Sequence, residues 1–229
     1  MKKQRIGIIG AGPGGLMLGL LLQQQGHDVS IYEKASPDSN QKRGGSLDIH
    51  EESGQLALKE ADIFERFQAL ARVEGEDTRV LGKDGTVYFE EIGQGTGDRP
   101  EIDRGKLCDI IIEKLKEDTI QYGYTYQSLT ELDNGKVTLQ FLEDEVQQFD
   151  VVVGADGAFS KVRNDVAHVD VTYNDISMIE LNIEDVVNKH PDLAQINSNG
   201  SLVALGDYKG ILGQFTGNGR IKVYVAFRM

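Results

Sequence analysis

The 229 residues include 37 acidic and 24 basic side chains, a formal net charge of −13, and 39% are hydrophobic. So acidic a chain repels nucleic acid and anionic membrane, so neither is an expected partner; an anionic ligand would need local cations or a helix N-terminus. The single cysteine, Cys108, excludes an intrachain disulfide, fits a reducing cytoplasmic setting and reads as a buried filler.

"RIGIIG" (5–10) reads as a short buried strand, "GLMLGLLLQQQG" (15–26) as a helix stopped by Gly26, and "DVSIYEK" (28–34) as a second strand. Such a unit is a parallel, right-handed βαβ crossover. The basic residues before the first apolar run resemble a secretory signal only briefly, because glycines break the run at once. No apolar stretch is long enough to span a membrane. Leu56, Leu58, Ile63, Phe67 and Leu70 predict a helix within 52–72, and Asp84-Gly85 predicts a hairpin within 78–91. Asp103 is the expected N-cap of a helix over 102–115, where Leu107, Ile111 and Leu115 recur every four residues. Residues 120–153 read as a meander with its clearest turn at Asn134-Gly135. The three valines at 151–153 read as a buried strand. Residues 169–182 and 201–228 read as antiparallel strands. The last of these places Ile221, Val223, Val225 and Phe227 on one face.

Gly10, Gly12 and Gly15 have G-x-G-x-x-G spacing between the first strand and the helix. The first glycine allows the tight turn, the second lets a pyrophosphate approach the backbone, and the third lets helix and strand pack closely. Glu33 ends the second strand, where an acid accepts hydrogen bonds from an adenosine ribose. The loop and strand end therefore offer Gly10, Gly12, Pro13, Gly14, Gly15, Glu33 and Lys34 to a dinucleotide. The spacing alone does not decide between FAD and NAD.

"DVVVGADGAFSKVR" (150–163) resembles the Asp-Gly motif of the flavoprotein aromatic hydroxylases, the class A flavin monooxygenases, matching it at Asp150, Gly154, Ala155, Asp156, Gly157, Ser160, Val162 and Arg163. In isolation "ADG" would also read as a turn leading into a capped helix. The resemblance implies FAD as cofactor, with Asp156 and Gly157 beside its polar middle and Lys161 and Arg163 near an anion. In that class "RGGSLDIH" (43–50) would run along the cofactor, making Arg43, Gly44, Gly45 and Asp48 candidate contacts; by itself it reads as a polar loop entering a helix. Arg104, in "PEIDRGKL" (100–107), would reach the FAD; a cation at a helix start opposes the dipole unless an anion lies nearby, the alternative being a solvated surface arginine. Cys108 stands where some relatives carry a second basic residue. No metal site is expected, since His50 has no second His or Cys to support one.

The order of these motifs is most similar to the tetracycline-inactivating monooxygenases, which makes a tetracycline-type substrate and antibiotic resistance candidate attributes. The fold implied is α/β: a Rossmann-like, glutathione-reductase-type parallel sheet at 1–74 and 100–166, and a mainly antiparallel substrate-side sheet at 75–99 and 167–229. The expected reaction is hydroxylation of a ring-bearing organic substrate with NADPH or NADH and O2. The alternatives are a flavin reductase or dehydrogenase of the same fold, and a non-catalytic flavin-binding module. No catalytic acid or base is identified. The family's third motif, a Gly-Asp string before a Pro, does not occur in these residues. The expectation is thus a C-terminally incomplete fold, from a longer enzyme or a short relative, with an uncovered final edge strand through which the chain self-associates.

Overall fold

A computed structural model describes residues 2–37, 44–93, 95, 97–143, 145–167 and 169–229. The chain divides into two compact units, one formed by 1–43, 59–63 and 105–172, the other by 44–58, 64–104 and 173–229. Relative to the division expected from sequence, residues 44–58, 64–74 and 100–104 fall with the second unit, where strands within the first and third of these stretches pair with each other, and residues 167–172 fall with the first unit.

In the first unit, β1 (Arg5–Ile9), α1 (Pro13–Gln24) and β2 (Asp28–Glu33) form the predicted crossover, and β1 and β2 pair in parallel from Arg5↔Asp28 to Ile9↔Tyr32. A helix of twelve residues lies close on a sheet only if its inward face is small and apolar. Leu16, Leu20, Ile8 and Ile31 are fully buried, and a Cβ on Gly19 would come within 2.7 Å of Ile31. With β7 (Ile120–Tyr122) and β11 (Val151–Gly154), the sheet order is β11-β1-β2-β7. Because β11 lies at the edge of this sheet, its valines are not the buried core expected: Val151 is 37% exposed and the next two are half-buried. The meander is β8 (Tyr126–Glu131), β9 (Val137–Phe141) and β10 (Val146–Phe149), turning at Asn134-Gly135 as predicted. Its Tyr126, Leu139, Phe141 and Phe149 form a core with Ile9, Tyr32 and Val162. The Tyr32 and Phe141 ring centres are 4.5 Å apart.

In the second unit, β3 (Ser46–Asp48) pairs antiparallel with β6 (Glu101–Asp103). The helix expected within 52–72 is two short ones, α2 (Gly54–Glu60) and α3 (Phe64–Gln68), because Asp62 between them takes a left-handed conformation at φ 54°. Leu58, Ile63 and Phe67 are buried, whereas Leu56 is 51% exposed. The hairpin β4 (Thr78–Gly82) and β5 (Val87–Glu91) turns where predicted. α4 (Arg104–Ile112) follows β6 directly in sequence but, after Arg104, belongs to the first unit, and Cys108 in it is buried. α5 (Val162–Ala167) belongs to the first unit.

The larger sheet is completed by β12 (Ile176–Ile183), β13 (Ser201–Gly206), β14 (Lys209–Phe215) and β15 (Ile221–Arg228), in the order β12-β15-β14-β13-β4-β5. Its pairings are antiparallel except β13 with β4. Two short helices, α6 (Val186–Lys189) and α7 (Pro191–Asn197), join β12 to β13. The final strand β15 is therefore not an edge. It pairs with β12 along Ile183↔Ile221 to Ile176↔Arg228, and with β14 on its other side. Ile221 is buried and Val223, Val225 and Phe227 are half-buried. The edge expected to carry self-association does not exist in that strand, because sequence alternation reports a strand's faces and not its neighbours. No helix among the described residues is long and apolar enough to cross a membrane.

Candidate cofactor-binding site

The first unit gathers the glycine turn, the end of β2 and the Asp-Gly turn into one place. Gly10 follows β1 with φ +109°, and a Cβ there would strike the Ala155 carbonyl. A Cβ on Gly15, one turn into α1, would strike the Gly10 carbonyl. The two glycines thus let the loop, the helix start and the 155–156 backbone pack within one atom's thickness of each other. Gly12 is the N-cap of α1, Pro13 occupies its first turn and no acidic residue lies in that turn, so the helix's own first turn leaves the positive end of its dipole uncompensated. A Cβ on Gly14 would meet nothing within 4 Å.

Glu33 turns back onto this loop. Its Oε2 accepts from the Ala11 amide at 3.0 Å, and its Oε1 from the Ala35 amide at 2.9 Å. Among the described residues each oxygen takes one such donor, which leaves lone-pair capacity for a ligand hydroxyl. Asp156 is more firmly engaged than its glycine-framed turn implied. Its Oδ1 accepts from the Ser160 hydroxyl at 2.5 Å and its Oδ2 from the Lys161 amide at 2.7 Å. The Ser160 hydroxyl in turn accepts from the Arg163 amide at 3.0 Å. The motif's acid and serine therefore cap the start of α5, the bland reading of "ADG", while Asp156 also faces a pocket. Gly157 follows it in an exposed turn at φ +88°.

That pocket, about 220 Å³, is lined by Gly10, Glu33, Lys34, Asp156, Phe159 and Lys161, with Tyr124, Thr125 and Tyr126 on the meander side. Tyr126 donates a short hydrogen bond to Asp165, and burial, followed by that carboxylate, pushes its phenol well above the usual range. Lys34 and Lys161 are exposed, so two cations stand at the rim of a pocket in a strongly acidic chain. The pocket, the open helix end and the acid of β2 suit an adenosine diphosphate: apolar and aromatic walls for a base, an acceptor for a ribose, and dipole and cations for phosphate.

The remaining predicted contacts lie in the second unit, where they also cluster. Gly44 has φ +91°, and a Cβ on it would come within 2.7 Å of Arg104 Cδ, so the arginine stem lies across a bare backbone. The Arg104 amide donates to the Gly45 carbonyl at 3.1 Å. Asp48, exposed in β3, pairs with Glu101 of β6. The carboxylate of Asp103, the expected helix cap, accepts from the Ser46 hydroxyl at 3.3 Å and the Gly217 amide at 3.1 Å. Arg43 lies outside the described residues.

The family model described as "FAD binding domain" matches residues 3–209. The chain belongs to this FAD binding domain family. Monooxygenase asqM of Emericella nidulans is 28% identical over 236 residues, covering 96% of this chain and 53% of that protein. A flavin-dependent monooxygenase from an unknown prokaryotic organism is 30% identical over 164 residues, covering 70% of this chain and 41% of its own length. The crystal structure of tetracycline destructase Tet(51) superposes with a TM-score of 0.71 at 22% identity, over 99% of this chain and 57% of that one, a likeness of fold. The chain spans about half the length of the curated relatives it matches.

Within this FAD-binding domain, sequence reasoning missed Tyr124, Thr125, Tyr126 and Phe159 in the pocket wall. A signal for the first three existed: β7 pairs with β2 up to Glu33↔Tyr122, so the residues just after it emerge beside the acid. Reading it required knowing that β7 neighbours β2, a long-range pairing that no local pattern states.

Proposed function

We propose that this chain is the FAD-binding portion of a flavin-dependent monooxygenase that uses a reduced nicotinamide and O2 to hydroxylate a ring-bearing organic molecule in the cytoplasm. The observation that carries the reading is the pocket at the end of β2, joined to the glycine turn. Gly10, Gly12, Pro13, Gly14 and Gly15 present the start of α1 to the cofactor's pyrophosphate. Glu33 accepts from the adenosine ribose while holding the Ala11 amide. Lys34 and Lys161 offset phosphate charge at the rim, and Asp156 and Gly157 hold the α5 turn against the cofactor. Tyr124 to Tyr126 and Phe159 line the space for the base. In the second unit, Gly44, Gly45, Asp48 and Arg104 form the second set of contacts, an anion offsetting the cation of Arg104 that its own helix dipole disfavours. Arg43 precedes that set in sequence. When bound, the flavin accepts electrons from the nicotinamide and activates oxygen; the protein supplies position, dryness and charge. A tetracycline-type substrate is supported by the order of the motifs "GGSLDIH", "PEIDR" and Asp-Gly.

The full-length protein is expected to purify yellow with non-covalent FAD. Its nicotinamide oxidation should be stimulated by substrate and matched by oxygen uptake, with tetracyclines and simple phenols as first compounds. FMN in place of FAD, or no flavin after reconstitution, overturns the reading. Substrate reduction without oxygen would identify a reductase, and bound flavin that never turns over would identify a binding module.

A further inference from the structure

The second unit holds a buried ion pair that the proposed chemistry does not use. The Glu101 side chain is fully buried in β6, and Arg72 Nη2 donates to its Oε2 at 2.7 Å. The same nitrogen donates to the Ser46 hydroxyl at 3.2 Å and to the Phe215 carbonyl at 2.9 Å, while Nη1 donates to the Asn199 carbonyl at 3.4 Å. One guanidinium thus joins β3, β6, the end of β14 and the turn before β13. Apolar residues of equal volume often stabilise a fold as well as a buried pair does, so fixed geometry is the role to test for this one.

Ser46 stands where that geometry leads. It directly follows Gly44-Gly45, and Gln214 grips it on both sides: the Ser46 amide donates to Oε1 at 3.1 Å, and Nε2 donates to the Ser46 carbonyl at 3.1 Å. Opposite it, Asp103 leads into Arg104, whose stem crosses Gly44.

We propose that Arg72 and Glu101 are positioning residues for the flavin site: their pair fixes Ser46 and β6 from behind and so sets where Gly44, Gly45 and Arg104 stand. This rests on the reading of those three residues as flavin contacts. The charged groups facing Glu101 are Arg72 and Asp48, with neutral Ser46 and Gln214 beside them. Burial pushes the Glu101 carboxyl up to about 7, Arg72 opposing and Asp48 adding to the rise. Protonation near neutral pH therefore weakens the pair and loosens the loop.

The test measures FAD affinity of the full-length protein by flavin fluorescence, from about pH 5.5 to 8.5, beside melting of the apo form. Wild-type affinity is expected to fall about tenfold as pH drops through 7, the scale of one charge-assisted hydrogen bond. Glu101→Gln should bind weakly and evenly across that range, and Arg72→Lys should retain part of the affinity. Ser46→Ala, a milder change, should weaken FAD binding with little shift in apo melting. Glu101→Gln binding as wild type at every pH, or wild-type affinity rising on acidification as a pure charge effect would produce, overturns the positioning role. Failure of the underlying reading looks different: Arg104→Ala then binds FAD as tightly as wild type, whatever Glu101 does.

Discussion

In the first unit, the glycine turn, the end of β2 and the Asp-Gly turn each take their shape from local sequence; in the second, the Ser46 cluster is assembled from residues far apart in the chain. Gly10 to Gly15, Glu33 and the 150–163 segment each carry a local reason for their shape: a turn, a helix start, a cap. The Ser46 cluster draws on Arg72, Glu101, Asp103 and Gln214, spread over 168 residues between Ser46 and Gln214. The difference is one of contact order. Turn and cap chemistry acts within a few residues, whereas a buried polar network is specified only when all its strands are in place.

The largest expected effect falls on the locally built half. Gly15→Ala forces a Cβ against the Gly10 carbonyl, and backbone cannot yield as a side chain can. We expect a loss of about 3 kcal/mol or more in apo stability, with FAD binding abolished. Denaturant unfolding of the full-length variant measures it. A loss below about 1 kcal/mol would mean that the crossover relaxes and is less tightly built than the close approach implies.

In the distributed half, the buried acid makes stability depend on pH. Glu101 is held at about 7, against 4.5 when unfolded. A raised carboxyl favours the folded state while protonated, so its contribution is fully present below about pH 4.5 and is lost as pH rises through 7. The size is up to about 3 kcal/mol over that window. Glu101→Gln removes this term. The stability of wild type minus that of the variant should therefore decline from pH 5 to pH 8 in the apo protein. A difference that stays level would show that Arg72 compensates burial fully.

These two outcomes bear on how far the sequence could be read. The crossover, both hairpins and the Asp-Gly motif were legible because glycine spacing, Asn-Gly and Asp-Gly pairs and apolar alternation act locally. Strand neighbours were not: β11 proved an edge and β15 an interior strand, although their compositions suggested the opposite. The broken 52–72 helix was missed because its apolar spacing survives the break, and only the left-handed Asp62 marks it. At the site, the same limit hid Tyr124 to Tyr126 and the Arg72–Glu101 pair.

Asp156 tests whether a legible motif is structural, cofactor-binding or both. Asp156→Ala removes the acceptor for the Ser160 hydroxyl and the Lys161 amide, and should cost about 1–2 kcal/mol without FAD, the range for a lost helix cap. FAD should stabilise the variant less than wild type, since a ligand adds stability according to its affinity for the folded state. Equal apo stability would remove the cap; an equal gain from FAD would remove Asp156 from the cofactor site.

The smallest effect gives the closest comparison, because each unit holds nearly the same hairpin. In one, the Lys136 amide donates to Asn134 Oδ1 at 3.0 Å and the Leu132 amide to the Lys136 carbonyl at 2.8 Å. In the other, the Thr86 amide donates to Asp84 Oδ1 at 3.0 Å and the Gly82 amide to the Thr86 carbonyl at 2.8 Å. Gly135 and Gly85 have φ +76° and +82°, and a Cβ would meet nothing within 4 Å at either. Substitution by Ala therefore imposes the same left-handed strain of about 1–2 kcal/mol at both turns. What differs is the strand beyond. β9 carries the buried Leu139 and Phe141 into the aromatic core, whereas every residue of β5 is exposed at the sheet edge. A strained turn next to β5 can release its strain by local fraying, and one next to β9 cannot without opening the core. Gly135→Ala should thus lower global stability by about 1 kcal/mol, and Gly85→Ala by less, with hydrogen exchange quickening in 87–91. Equal global losses, with exchange in 87–91 unchanged, would show that β5 is held as firmly as β9, and that the two units differ in their long-range networks alone.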